Sequence, residues 1–186
     1  MSDAETETAE LGVLEREGDL AVLHYRRHLA QPRAKVWRAM TDPAQLASWF
    51  PTTIEGEQAP GSSLRFGFRG VDLEPLLGEM LAFDPPQLLE MRWGDDVVRF
   101  ELSDEGEGTL LELVVRFPEF GKAARDGAGW HVCLDRLALV LYHRHLASWE
   151  DDDGWRSIHP HYISALGPEA SSIGPPPEWE DVHGPA

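Results

Sequence analysis

A chain of 186 residues with a formal net charge of -17 has room for one domain with a proper core, and it repels nucleic acid and anionic membranes, so neither is expected as a partner. Its single cysteine, Cys133, excludes an internal disulfide and any multi-cysteine zinc site. The acidic start, Met1 to Glu10, lacks the basic residues and apolar stretch of an export signal, and no apolar run approaches the ~18 residues of a membrane span, so a cytoplasmic location is expected.

Residues 1 to 17 carry too few apolar side chains to order themselves and are expected to be a disordered acidic leader. Residues 18 to 149 hold the periodic patterns of a folded domain. Leu20 to Leu29 alternates as a strand, with Leu23, Tyr25, Arg27 and Leu29 on one face. An inward arginine there must be paired or wet. Pro32 suits a first helical turn, and Val36, Trp37 and Met40 give that helix one buried side. Asp42-Pro43 then caps a second short helix running through Leu46 and Trp49 to Phe50, and Pro51 ends the pair.

From there to Phe117 the pattern is strands separated by turns. Leu64, Phe66 and Phe68 alternate with Arg65, Gly67 and Arg69. Leu76 to Phe83 is a further strand, stopped by Asp84-Pro85-Pro86. Leu89, Met91 and Trp93 share one face of the next, as do Val98, Phe100 and Leu102, and then Leu111, Leu113, Val115 and Phe117. Tight turns at Gly94-Asp95-Asp96 and at Asp104 to Gly108 favour antiparallel pairing throughout.

Gly129 to Trp149 is expected to be one long helix, with Trp130, Leu134, Leu137, Ala138 and Leu141 in one apolar arc that His145 continues. Residues 150 to 167 should give a short helix through Trp155, Ile158, Tyr162 and Leu166 that packs back on the domain, and residues 168 to 186 a flexible tail. On the back of the long helix Val132, Leu139 and Leu146 recur every seven residues. Either the C-terminal segment covers them or a second copy does in a homodimer, and intrachain cover is favoured.

No metal, cofactor or catalytic residue is assigned. His143 and His145, two apart on a helix, point in nearly opposite directions, and His159 and His161 lack neighbouring ligands at a known spacing. No serine sits in a nucleophile elbow, and no glycine cluster opens a helix as a phosphate loop does.

Arg27, Leu29-Ala30-Gln31-Pro32, Val36-Trp37, Ala39, Thr41-Asp42-Pro43, Leu46 and Trp49-Phe50 resemble the opening signature of the activator of heat shock protein 90 ATPase homologue-like family, in the START-like (SRPBCC, Bet v 1-like) superfamily. Gly78-Glu79, Phe83, Pro85-Pro86, Leu88, Trp93, Gly108-Thr109, Leu111, Gly129-Trp130, Leu134 and Leu137 look like its later landmarks, so the resemblance spans residues 20 to 148. It implies an α+β helix-grip (START/Bet v 1-like) fold: a curved antiparallel sheet of six or seven strands wrapped around a long C-terminal helix, with two short helices after the first strand.

The resemblance also implies a cavity between sheet and long helix for a small hydrophobic or aromatic molecule, held without catalysis. Lining is expected from Trp49, Phe66, Phe68, Met91, Trp93 and Phe100 on one side and Trp130, Leu134, Leu137 and Leu141 on the other. Otherwise these residues simply fill the interior. Arg27 and Glu79 either both face inward and orient a polar ligand group or, with the register shifted by one, both face water. His145 either donates at the cavity mouth or is an exposed helix-end residue. Two competing activities remain on this scaffold: a cyclase-, aromatase- or hydrolase-like enzyme, and a module regulating the Hsp90 ATPase.

Overall fold

In a computed structural model, which describes residues 10–69, 72–149 and 151–175, the chain begins with β1 (Val13–Glu17), β2 (Leu20–Leu29), α1 (Arg33–Thr41) and α2 (Pro43–Trp49). Six strands follow: β3 (Thr52–Glu55), β4 (Ser63–Phe68), β5 (Leu76–Asp84), β6 (Leu88–Trp93), β7 (Asp96–Glu105) and β8 (Gly108–Phe117). Two helices, α3 (Ala123–Leu141) and α4 (Gly154–Leu166), come last. All the strands join one antiparallel sheet in the order β1-β2-β8-β7-β6-β5-β4-β3. The two short helices therefore carry the chain from one side of the sheet to its opposite edge. A curved open sheet with a long helix in its concave face is the helix-grip fold.

The sheet has eight strands where six or seven are expected, and both additions are edges. β1 lies in the stretch expected to be a leader. It forms because Gly18, at φ 63, turns the chain back so that Glu17 faces Leu20 and Val13 faces His24. Arg16 then packs over the Phe120 ring and pairs with Glu169, which ties this edge to the C-terminal segment. β3 is four residues long, too short for an alternation to stand out. The expected tail is also ordered in its first part: Ala170 is buried in a 3-10 turn, and Ile173 donates its amide to the Gly121 carbonyl at 3.0 Å. Residues 1–9 of the leader and 176–186 of the tail lie outside the described residues.

The entry helices form as their residues dictate. Asp42 accepts from the amides of Ala44 and Gln45 at 3.0 and 3.2 Å, with Pro43 in the first helical position. Such a cap contributes about 1 kcal/mol. The indole nitrogen of Trp49 donates to the Ala39 carbonyl at 2.8 Å, binding α2 to α1.

The long helix is displaced from the expected range, running from Ala123 to Leu141 instead of Gly129 to Trp149. Past Leu141 the chain leaves helical geometry, with His143 at φ 51. The cause is Arg136, whose side chain is only 4% exposed. Its guanidinium donates to the carbonyls of Ser48 (2.9 Å) and Ala147 (3.2 Å) and pairs with Asp152 (2.5 Å), folding the following segment back onto the end of α2. Lys35 donates to the last helical carbonyl, Leu141, at 2.9 Å. His145, expected to continue the helical arc, thus sits exposed in this returning loop.

α4 covers the back of α3. Tyr162 is fully buried over Gly127, where a Cβ would come within 2.7 Å of its ring, and Gly154 abuts Val132. Three groups converge there: the Gly12 amide donates to the Tyr162 hydroxyl at 2.7 Å, His131 Nδ1 lies 3.2 Å from that oxygen, and the Tyr25 hydroxyl donates to the Gly127 carbonyl at 2.8 Å. Cys133 is buried, and burial pushes its thiol up to about 12, so it packs as a small neutral side chain. Among the described residues no helix is long and apolar enough to cross a membrane.

Leu137, 1% exposed, faces the sheet from the middle of α3. Leu137→Glu should abolish the cooperative thermal transition seen by circular dichroism, because the isolated charge has no buried partner. A variant that melts like the wild type would contradict the packing described.

Burial, with Arg27 adding to it, pushes the His131 imidazole down to about 4. A base kept neutral by folding contributes stability above its ordinary pKa of about 6.5 and loses it as pH falls toward 4, about 3 kcal/mol in full. Asp96 works in the opposite sense. Burial pushes its carboxyl up to about 6 against the pull of Lys122, whose Nζ is 2.8 Å away, so that group adds stability as pH falls through about 6. The test must therefore compare variant with wild type. His131→Gln should flatten the acid-side fall of the urea midpoint, and an identical slope in both proteins would contradict this assignment.

Candidate functional site

A cavity of about 260 Å³ lies between the two short helices and the inner face of the β3–β7 half of the sheet. The helices contribute Met40, Leu46 and Trp49. The sheet contributes Ile54, Leu64, Met80, Leu89, Met91 and Phe100. Strand alternation aims these inward: Met80 faces Met91 and Leu89 faces Phe100 across neighbouring strands, and all four are buried. Polar groups are few, namely Thr41, Thr53, Gln58 and Arg69.

Arg69 is the one ionisable side chain among the described lining residues. Its Nη1 donates to the Phe50 carbonyl at 2.5 Å and its Nη2 to the Thr52 carbonyl at 3.0 Å. Burial lowers its pKa, with the Arg136 charge adding to the effect. Sequence alternation assigns it the outward side of β4. At the end of that strand the side chain instead reaches back to the chain segment joining α2 and β3.

Under Trp130 of α3, where a cavity is expected, aromatic rings pack instead. Trp130 packs against Trp93, Phe50 and Phe100 with ring centroids 5.5, 5.7 and 6.3 Å away, mostly edge to face. Trp49 adds to Phe100 at 5.9 Å and Phe66 to Trp93 at 6.4 Å. These rings fill the space beneath Trp130, and the cavity lies beside them against α1 and α2.

Of the expected lining, Trp49, Met91 and Phe100 do face the cavity. Phe66, Trp93 and Trp130 build the aromatic plug beside it, while Leu134, Leu137 and Leu141 are core residues beneath α3. Phe68 is half-buried on β4 opposite Thr52. Arg27 and Glu79 do not meet. Arg27 shares the inward face of β2 but donates to the carbonyls of Glu10 (3.1 Å) and Arg26 (3.0 Å). Glu79 stands opposite Arg92 and Ser63 on the outer face, because Gly78 and Met80 take the inward positions. A register irregularity between Met80 and Ala82 hides that parity in the sequence. His145 is remote on the exposed loop.

Among the lining residues that sequence reasoning missed are Met40, Leu46, Ile54, Leu64, Met80, Leu89 and Arg69. Leu64 had a usable signal, since it leads the alternation of Phe66. Arg69 had none. Among the described residues no three His, Cys, Asp or Glu side chains converge as a metal site would require.

The family model described as Activator of Hsp90 ATPase homolog 1-like protein matches residues 30–142, from the end of β2 to the end of α3. Among solved structures the chain is similar to CalU16 from Micromonospora echinospora, at 27% identity over 83% of this chain and 96% of that one, with a TM-score of 0.66. EF2215 from Enterococcus faecalis, a conserved protein of unknown function, shares the fold at 22% identity over 83% and 90% of the two chains, TM-score 0.68. DynU16, described as a putative protein in the dynemicin biosynthetic locus, is 27% identical over 68% of this chain and 48% of its own, TM-score 0.59. No curated protein matches. Because the family match takes in more than half the chain, with both short helices, β3 to β8 and α3 inside it, this chain belongs to the Activator of Hsp90 ATPase homolog 1-like family.

Proposed function

We propose that the cavity beneath the two short helices binds a small, flat, apolar molecule and holds it without chemical change. The observation that carries this reading is the partly open cavity of about 260 Å³ with a mostly apolar wall. That volume is near the lower end of ligand sites, roughly 300 Å³ and upward, and suits one or two fused rings. Every methionine except the first residue lines it: Met40, Met80 and Met91. Unbranched thioethers repack at little cost, so this wall adapts to a ligand's outline. Acid–base chemistry needs a group that titrates near neutrality, and the one charged side chain among the described lining residues is an arginine. DynU16, similar in fold, belongs to a biosynthetic locus. A role in handling a biosynthetic small molecule is in keeping with that neighbour.

Native mass spectrometry of the purified chain should reveal a co-purifying small molecule, or the chain should bind the neutral probe 2-naphthamide saturably. Leu46→Trp, which adds bulk to the cavity wall, should weaken 2-naphthamide at least about tenfold, or ~1.4 kcal/mol, without lowering the melting temperature. Absence of a bound molecule together with no saturation by about 1 mM probe would remove the proposal.

A further inference from the structure

Arg69 marks the chemistry of the ligand's polar end. The chain carries 33 acidic and 16 basic side chains, so a cation has abundant opportunity to find a carboxylate. Arg16, Arg26, Arg33, Arg65, Arg99 and Arg116 each do so. Arg69, at the cavity wall, has no carboxylate among the described residues within ion-pair distance. Its neighbour Arg136 is already matched by Asp152 at 2.5 Å.

The carbonyls of Phe50 and Thr52 hold the Arg69 guanidinium by Nη1 and Nη2. They fix its position without neutralising it, and a guanidinium has five N–H donors in a planar fork. Half-burial makes the unmatched charge costly, which lowers its pKa. An oxyanion arriving at this point meets a donor that is already oriented and needs no rearrangement. The net charge of -17 opposes an anion at long range, but that field is screened beyond about 8 Å in physiological salt, so contact pairing decides the outcome.

We infer that the molecule bound in this cavity is an aryl carboxylate, its ring system among Met40, Met80 and Met91 and its carboxylate against Arg69. This rests on the cavity reading above and narrows it to one ligand class, an apolar ring system with an anionic end.

The test compares 2-naphthoate with its neutral isostere 2-naphthamide by calorimetric titration of the full chain at neutral pH. Wild type should bind the acid at least about tenfold more tightly than the amide, the scale of one charge-assisted hydrogen bond. Arg69→Gln should weaken the acid far more than the amide and so erase most of that ratio, and Arg69→Lys should keep part of it. A residue that only braces the strand end would shift both ligands together. Equal binding of acid and amide by the wild type would overturn the inference and leave the apolar cavity standing, a measurement that needs no variant to fold. A preference for the acid that survives in Arg69→Gln would overturn the assignment to Arg69. Failure of both ligands to bind would remove the cavity reading and this inference with it.

Discussion

Trp130 is where the long helix, the sheet and the short helices meet. Its ring reaches Trp93 on β6, Phe100 on β7 and Phe50 at the end of α2, and is only 3% exposed. Each such ring contributes up to about 3 kcal/mol by burial, with about 0.5–1.5 kcal/mol more for an edge-to-face pair. One side chain thus fixes the height of α3 above the sheet and the position of the α2 terminus. It also bounds the cavity, because the plug it anchors fills the space beneath it while the cavity lies beside it, toward α1 and α2.

The ends of α3 show how polar contacts finish what apolar burial begins. Arg136 on α3 ties the returning loop to α2, and Trp149 of that loop lies 3.9 Å from the Arg136 guanidinium while its indole donates to the Ala47 carbonyl. At the opposite end Lys122 and Asp96 join the start of the helix to the start of β7. α3 is therefore clamped at both termini to elements that border the cavity or the plug. The cavity walls are consequently held by the same contacts that hold the fold.

Much of this architecture was legible in the residues. Leu64, Phe66 and Phe68, the Val98 to Leu102 set and the Leu111 to Phe117 set alternate cleanly because one sheet face is buried and the other wet. Asp42-Pro43 announced its own cap. What stayed hidden depends on distant partners. β1 exists because β2 offers an unpaired edge, and the stop after Leu141 because Arg136 finds Ser48 and Asp152 far away in sequence. The apolar arc of the helix was read correctly as buried, but burial does not say whether a side chain meets another side chain or a void. That difference moved the cavity from Leu134 and Leu137 to Met40 and Met80. Arg69 illustrates the same limit for charge, since its destination is a bend that no local pattern encodes.

The outermost strand, β3, lends Thr53 and Ile54 to the cavity and is paired along one side alone, over Thr52 to Glu55. Detaching so brief a ribbon costs far less than melting the whole domain. Local opening of this border would widen the chamber from the side while the helix and its ring of aromatics stay in place.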